Sequence, residues 1–581
     1  MNKSSDVISR RFPRGQSATW ALALMLYLFF GLFLIWPIWR VTAAGVTAKD
    51  GGFTVAYLRL IFQDPVLIRG LVNATLIAIS VTFLCLLVAL PLGILSVRFD
   101  FPGKQLLSGL LLAPLVLPPF VGAIGMRLIL GRLGPLSVMM GWGRGAGFDW
   151  LGRFRLIGIL VVETLHLYPV LLLNLQASLA AIDPFLEQAA ANLGAGKWTV
   201  FRRITLPLVR PGLFAGCTLT LIWSFTELGT PLMFDFGTIT PVQIYRQVTD
   251  VAANPLPYAL VIVTLLASAA LYLIGKVALG RGYDIATTKA ASSWAPQPLR
   301  GWRAVAAAAP FVVVLLLAIS PHVSVVLTSF TATGQWYRSV LPQSFTLSHY
   351  GAALMDDLAM PSVWNSVRYA TCATAVAVAV GLAAAIVIVR GEIRGRAVID
   401  ALSMLPLAVP GLALAFGYLA ISVGLKQKYG ASLPRQLDVQ EAPTLFLIVA
   451  YAARRLPYVV RSAVAGLQQT PRDLELAGQN LGASRATVLA KITIPLIAAN
   501  LLAGALLAFA FSLLEVSDSI ILAQKAAYFP ITRAILELAH RLGDGLYVAS
   551  ALGVWAMLLL SLTLLGANSL LGRRLGAVFR T

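Results

Sequence analysis

Residues 187–207 read EQAAANLGAGKWTVFRRITLP, and residues 475–495 read ELAGQNLGASRATVLAKITIP. The offset of 288 residues that carries position 187 to 475 also carries Gly194 to Gly482, Ile204 to Ile492 and Pro207 to Pro495. The chain is therefore a duplicated unit. Each copy has the marks of a short helix. In the first, Asp183 can cap the open N–H groups, Pro184 suits the first helical position, and residues 186–193 are Ala-rich. Gly194 can take the left-handed conformation that ends the helix. In the second, Thr470, Pro471 and Asp473 resemble a capping-box start, and Gly482 gives the stop. Both copies lie between very apolar segments, so each is predicted to be a polar hairpin that a membrane protein offers to something soluble.

The composition agrees. Of 581 residues, 58% are hydrophobic and 12% charged, far from the balance of a soluble globular chain. Apolar windows of about 20 residues match helices crossing the hydrocarbon core, not the roughly 10-residue alternating strands of a barrel. The net charge of +21 would suggest nucleic acid in a soluble protein; here Lys and Arg cluster in short loops, so membrane topology explains them and no nucleic-acid partner is expected. Cys85, Cys217 and Cys372 stand singly inside apolar runs, with no spacing that suggests a metal site or disulfide framework.

Apolar runs near 18–44, 71–97, 105–130, 156–181, 209–234 and 256–280, then 303–330, 364–390, 398–425, 443–468, 497–524 and 545–571, predict an all-α membrane protein of about twelve spans. The first run follows Lys3, Arg10, Arg11 and Arg14 and could imitate a secretory signal ending near Ala43 or Ala44. It is long for that, and is read as an uncleaved span. With the N-terminus in the cytoplasm, Arg98, Lys104, Arg202, Arg203, Lys276, Arg281, the basic residues of 390–396, Arg573 and Arg574 fall inside, and so does the C-terminus. Arg127, Arg132, Arg144, Arg153 and Arg155 fall outside, in a Gly-rich loop that is expected to be re-entrant or to shield its charges. The polar stretch 283–302 is the linker between a first half, 1–282 (core 71–281, hairpin 183–207), and a second, 303–581 (core 361–572, hairpin 470–495). Six spans per half make the repeats parallel.

The repeat reaches beyond the hairpin. Asn73 maps to Asn365, Pro114 to Pro406 and Pro118 to Pro410 at an offset of 292, while Pro169 maps to Pro457 at 288. These prolines are expected to break or kink the third and fourth spans of each half, and the two Asn to make packing bonds between helices. Glu227 and Glu515 are mates in the fifth spans, with Asp235 and Asp518 nearby. On the fourth spans, Glu163, His166, Val170 and Asn174 share one helical face, as do Tyr451, Arg454, Tyr458 and Arg461. A charged side chain at this depth costs about 2.5–3.5 kcal/mol on insertion scales, so each needs a reason. Two stay open: Glu163, His166, Glu227, Arg454, Arg455, Glu515 and Asp518 line a substrate path, or they form interhelical locks in which Arg454 or Arg455 holds Glu515 and His166 holds Glu227.

The hairpins resemble the cytoplasmic loop of permease subunits of bacterial ABC importers, whose pattern is Glu-Ala-Ala, three residues, Gly, nine residues, Ile, any residue, Leu-Pro. The first copy supplies Ala189, Ala190, Gly194, Ile204, Leu206 and Pro207; the second supplies Ala477, Gly482, Ile492 and Pro495. Gln188 and Leu476 stand at the family's Glu, with Glu187 and Glu475 one residue earlier; Gly478 replaces the second Ala and Ile494 the Leu. The resemblance implies the MetI-like permease fold, two permease halves fused in one chain in the bacterial inner membrane. It implies that Glu187, Gln188, Ala189, Gly194, Ile204 and Pro207, with Glu475, Leu476, Ala477, Gly482, Ile492 and Pro495, couple to an ATPase dimer. A periplasmic binding protein would deliver the solute.

Gly194-Ala195-Gly196-Lys197 lacks the spacing and hydroxyl of a phosphate loop, so ATP and Mg are expected on the partner, with no cofactor and no assigned metal here and no enzyme activity of the chain's own. The fusion, with ELGTP at 227–231 and RRLPY at 454–458, is similar to ferric iron importer permeases. The alternatives are 2-aminoethylphosphonate, another small organic phosphate or thiamine in the same importer class, and, from another class, an ion-driven secondary transporter. The last has no use for a repeated cytoplasmic hairpin.

Overall fold

Helices stand at each of the twelve expected positions in the computed structural model, which describes residues 14–48, 51–141, 150–151, 155–248, 254–279, 296–336 and 338–571. Among these residues, eight helices are long and apolar enough to cross a membrane, and three further pairs qualify if each bent pair is one span. The twelfth, Thr444–Gln469, is 26 residues long but carries Arg454, Arg455 and Arg461. The expectations on Lys3, Arg10, Arg11, Arg144, Arg153, Arg281, Arg573, Arg574 and linker residues 283–295 lie outside the described residues. The end of the linker pairs in parallel with the chain after the second span, Gln297–Pro298 against Phe99–Asp100.

The prolines act unequally. Both third spans break, with a bend of 93° between Lys104–Leu115 and Pro119–Ile129 and 101° between Arg396–Ala408 and Gly411–Ser432. Leu117 and Val409, each before a proline, are extended, as the proline ring demands. The fourth spans do not break: Arg155–Ala180 and Thr444–Gln469 run unbroken through buried Pro169 and Pro457. Packing against neighbouring helices lets a proline cost one backbone bond without ending the helix.

The fifth spans also differ from the single runs expected at 209–234 and 497–524. Their helices end at Phe225 and Leu513, and short helices Gly229–Met233 and Ser517–Leu522 follow. Glu227 and Glu515 sit in these interruptions. At the other end each fifth span begins with a π turn, Phe201–Thr205 or Leu489–Thr493. Pro207 and Pro495 have no N–H to give the carbonyl four residues back; the preceding N–H groups, of Leu206 and Ile494, reach five back to Phe201 and Leu489.

Packing does not follow the division at the linker. The helix Thr19–Gly45 lies on the second half: Tyr27 donates to the Gly395 carbonyl at 2.9 Å, and Tyr418 to that of Phe33 at 2.6 Å. Conversely, the second half's first helix, Trp302–Phe330, lies on the first half, where a Cβ on Gly125 would meet the Pro321 carbonyl oxygen at 1.8 Å. Each half thus lends its first helix to the other, and one apolar core runs through both.

Candidate functional site

Each hairpin is built as its residues require. Helix Pro184–Asn192 is capped by Asp183, which accepts from the Phe185 N–H at 3.0 Å, and it stops at Gly194 with φ +83°. Helix Arg472–Asn480 stops at Gly482 with φ +87°. Its expected capping box is absent, because the Thr470 hydroxyl donates back to the Gly466 carbonyl at 2.9 Å. Gln188, Ala189, Leu476 and Ala477 face outward, and the mates Leu193 and Leu481 are each 90% exposed. Ile204 and Ile492 are half-buried beneath the hairpins. A Cβ on Gly478 would lie 2.6 Å from Ile492 Cδ1, the end of a flexible side chain, and the first copy carries Ala190 at the same position.

Glu187 and Glu475 do not join that outward face. Glu187 Oε1 accepts from Arg98 Nη2 and, at 2.5 Å, from the Thr205 hydroxyl; Arg98 Nη2 also reaches that hydroxyl at 3.2 Å. In the second copy, Arg390 Nε and the Thr493 hydroxyl each stand 3.3 Å from Glu475, and Arg390 Nη2 donates to the Thr470 carbonyl at 2.9 Å. From sequence Arg98 and Arg390 mark only the cytoplasmic side, and Thr205 and Thr493 carry no assignment.

Within the membrane, a cavity of about 140 Å³ opens between the halves. Its walls are repeat mates: His166 and Arg454, Leu167 and Arg455, Trp223 and Phe511, Thr226 and Leu514, Glu227 and Glu515. The second-half wall holds a closed set of ion pairs. Glu515 takes Arg454 Nη1 at 2.5 Å on one oxygen and Arg455 Nη2 on the other, and Arg454 also reaches Asp518 at 3.4 Å. Tyr458 stacks on Phe511 at 5.2 Å, and Arg455 lies 5.5 Å from the same ring. Tyr451 and Ser519 hydroxyls meet at 2.6 Å. Gly411 makes room for Arg454, whose Nη1 would lie 2.0 Å from a Cβ there.

The first-half wall carries no such set. Glu227 accepts the N–H groups of Gly229 and Thr230 at 3.0 and 3.3 Å, capping its own short helix, while Glu163 is buried behind the wall, not lining the cavity, and accepts from the Ser224 hydroxyl. Among the described residues neither carboxylate has an ion-pair partner. The expected His166–Glu227 lock is not formed. Pro118 has no N–H for the Pro114 carbonyl, and His166 Nδ1 takes that carbonyl at 2.8 Å.

The family described as binding-protein-dependent transport system inner membrane component matches residues 86–283 and 377–576, more than half of the chain and once in each repeat. The chain belongs to this family. It is a permease subunit of an ABC importer and a multi-pass inner-membrane protein. The putative ferric transport system permease protein FbpB 1 of Haemophilus influenzae is 27% identical to it over 520 residues, 86% of this chain and 77% of that one. The ferric transport system permease protein FbpB of Actinobacillus pleuropneumoniae is 26% identical over 555 residues, 92% and 75% of the two chains. The molybdenum transport system permease protein ModB of Escherichia coli is 37% identical over 169 residues, 28% of this chain and 71% of that one.

Other charged groups of the permease fall outside the cavity. Asp235, beyond the fifth span, pairs with Arg127 at 3.0 Å, and its carbonyl accepts from Arg155 at 2.7 Å, so two arginines flanking the Gly-rich loop are met by another segment. Arg461 pairs with Asp400 at 3.4 Å, and Asn174 bonds back to the Val170 carbonyl. Asn73 and Asn365 tie the second spans to the chain beyond the fifth, donating to the carbonyls of Thr238 and Ala527 at 2.7 and 3.0 Å. These are packing bonds, but they run from helix to a bend and a 3₁₀ turn rather than between helices as expected.

Proposed function

We propose that this permease passes ferric iron, handed over by a periplasmic binding protein, with ATP hydrolysed by an ATPase dimer seated on the two hairpins. The observation that carries the cargo is the charge of the cavity walls. Arg454 and Arg455 are matched by Glu515 and Asp518, whereas Glu227 faces the space with a carboxylate that forms no ion pair among the described residues. Carboxylate oxygen is a hard donor suited to a hard cation. Two relatives aligned over most of this chain are named for ferric transport, which supports the same reading. In this reading Gln188, Ala189, Leu193, Leu476, Ala477 and Leu481 meet the ATPase, both termini lie in the cytoplasm, and this chain binds no ATP or cofactor of its own.

The test is uptake of radioactive ferric iron by cells expressing the permease with its ATPase and binding protein, comparing wild type with Glu227→Gln at equal membrane levels. Iron uptake above vector cells, falling at least about tenfold in Glu227→Gln, is expected. No uptake by wild type refutes the cargo, and unchanged uptake by the variant refutes the role of Glu227. Molybdate and 2-aminoethylphosphonate run in parallel identify an anionic cargo if iron fails.

A further inference from the structure

The hairpin carboxylates Glu187 and Glu475 lie at matching positions in the two copies, yet both turn away from the surface assigned to the ATPase. Each closes a junction of three elements. In the first half these are the last turn of helix Pro65–Arg98, the first turn of helix Pro184–Asn192, and the π turn Phe201–Thr205. Thr205 is fully buried and Glu187 is 8% exposed. In the second half the same residue types join helix Ala359–Arg390, helix Arg472–Asn480 and the π turn Leu489–Thr493, and Arg390 adds a bond to the end of the fourth span through the Thr470 carbonyl.

We propose that the Arg98–Glu187–Thr205 and Arg390–Glu475–Thr493 junctions are the links that carry hairpin movement into the second and fifth spans. The inference rests on the hairpins being the ATPase seats. Apolar contact alone lets a short helix slide over its neighbours, because dispersion between methyl groups has little direction. A buried, charge-assisted junction has direction and fixes the carboxylate against both partners. The route beyond it is short in sequence: Thr205 opens the fifth span, which bends by 66° between Lys197–Leu208 and Arg210–Met233, and helix Arg210–Phe225 ends two residues before Glu227. Thr493 opens the other, and helix Ile494–Leu513 ends two residues before Glu515. A displaced hairpin therefore acts on both carboxylates of the cavity. Glu187, Glu475 and their partners are positioning residues, since none touches the cavity.

The test uses the complete importer reconstituted in lipid, with Cys85, Cys217 and Cys372 replaced by Ala and Thr226→Cys in the cavity wall as reporter. The reading is the change in maleimide labelling rate on adding ATP and vanadate, which needs no knowledge of the cargo. In the otherwise unchanged permease the rate is expected to change at least about tenfold. In Glu187→Gln/Glu475→Gln the ATPase stays bound and hydrolyses ATP, but the change falls below about twofold. Reversing each pair, Arg98→Glu/Glu187→Arg with Arg390→Glu/Glu475→Arg, restores most of it. Thr205→Val/Thr493→Val keeps the ion pairs, guards against misfolding of the charged variants, and is expected to lose part of the response.

A full response in the Gln double variant overturns the proposal, as does a full response in the Val variant where the Gln one fails to assemble. Loss of the ATPase from an otherwise folded Gln variant means that these carboxylates meet the ATPase directly, which also overturns it. No response in the unmodified permease, with the ATPase absent on co-purification, refutes the hairpin seats themselves.

Discussion

Buried Glu515 holds two half-buried guanidinium groups, and Glu515→Gln removes their shared counter-charge without changing the side chain's volume. Arg454 keeps Asp518 at 3.4 Å, while Arg455 keeps the Phe511 carbonyl at 3.1 Å, the ring beneath it and a side-chain bond with Tyr458, none of them a counter-charge. The glutamine oxygen can accept from one arginine, but its amide N–H groups then face the donors of the other. Removing one partner of a buried ion pair costs about 3–5 kcal/mol, since the remaining charge stays in a poor solvent.

Two neighbouring substitutions calibrate that figure. Asp518→Asn removes the longer of Arg454's contacts and leaves its bond to Glu515, so about 1 kcal/mol is expected. Glu227→Gln orphans no cation, and its amide oxygen can still accept from Gly229 and Thr230, so the cost is about 0.5 kcal/mol or less. The assay is the apparent melting temperature of the purified permease, followed by the monodisperse peak surviving heating at one detergent and lipid ratio. The drop should be largest for Glu515→Gln, smaller for Asp518→Asn and smallest for Glu227→Gln. Adding Arg455→Leu to Glu515→Gln should recover stability, because Leu167 already fills the mate position and the stranded cation is gone. Equal drops for Glu515→Gln and Glu227→Gln, or further loss in the double variant, would refute the account of Glu515 as counter-charge.

Two further outcomes follow from local geometry. Gly125→Ala places a Cβ 1.8 Å from the Pro321 carbonyl oxygen, a backbone atom, so it should lower the melting temperature well beyond Gly109→Ala, which meets nothing within 4 Å; equal melting points would contradict the close crossing of these helices. For Asp356, in the loop between helices Ser348–Met355 and Ala359–Arg390, burial pushes the carboxyl up, but Arg541 at 2.5 Å and the N–H groups of Leu358 and Ala359 outweigh it and hold it below the usual aspartate value. A depressed folded-state value means stability that is present above the unfolded value near 3.9 and lost as pH falls through the folded one. Asp356→Asn should therefore melt lower than wild type at pH 6, with the gap closing below about pH 4, and a gap independent of pH would refute the assignment.

The duplication, the twelve helical segments and the hairpin stops were legible because each is a local pattern repeated at a fixed offset. The proline breaks were legible only in part. Pro118 and Pro410 interrupt the third spans, while Pro169 and Pro457, equally visible, lie in helices that tertiary packing holds unbroken. Arg98 and Arg390 were within reach, since the offset of 292 that relates Asn73 to Asn365 relates them too. Their partners Thr205 and Thr493 carry no local mark beyond standing two residues before the shared proline. The His166–Glu227 pairing failed because charge sign was matched without counting backbone acceptors: the carbonyl that Pro118 leaves open lies nearer to His166 than any carboxylate does.

The difference between the two cavity walls is a consequence of fusion. Two identical permease chains about a twofold axis would present the same residue on both walls, so any arginine and carboxylate introduced there would appear twice. Within one chain the halves can diverge, and here Arg454 and Arg455 face His166 and Leu167 across the pseudo-twofold. The second wall is neutralised internally and resists separation by the energy of its ion pairs, whereas the first presents Glu227, whose Oε1 accepts from two backbone N–H groups. A cation in this space is drawn toward the first wall, away from both arginines. The axis of the fold and the path of the cargo therefore need not coincide, and substitutions on the two walls should separate: those at Arg455 and Glu515 register in stability, those at Glu227 in transport.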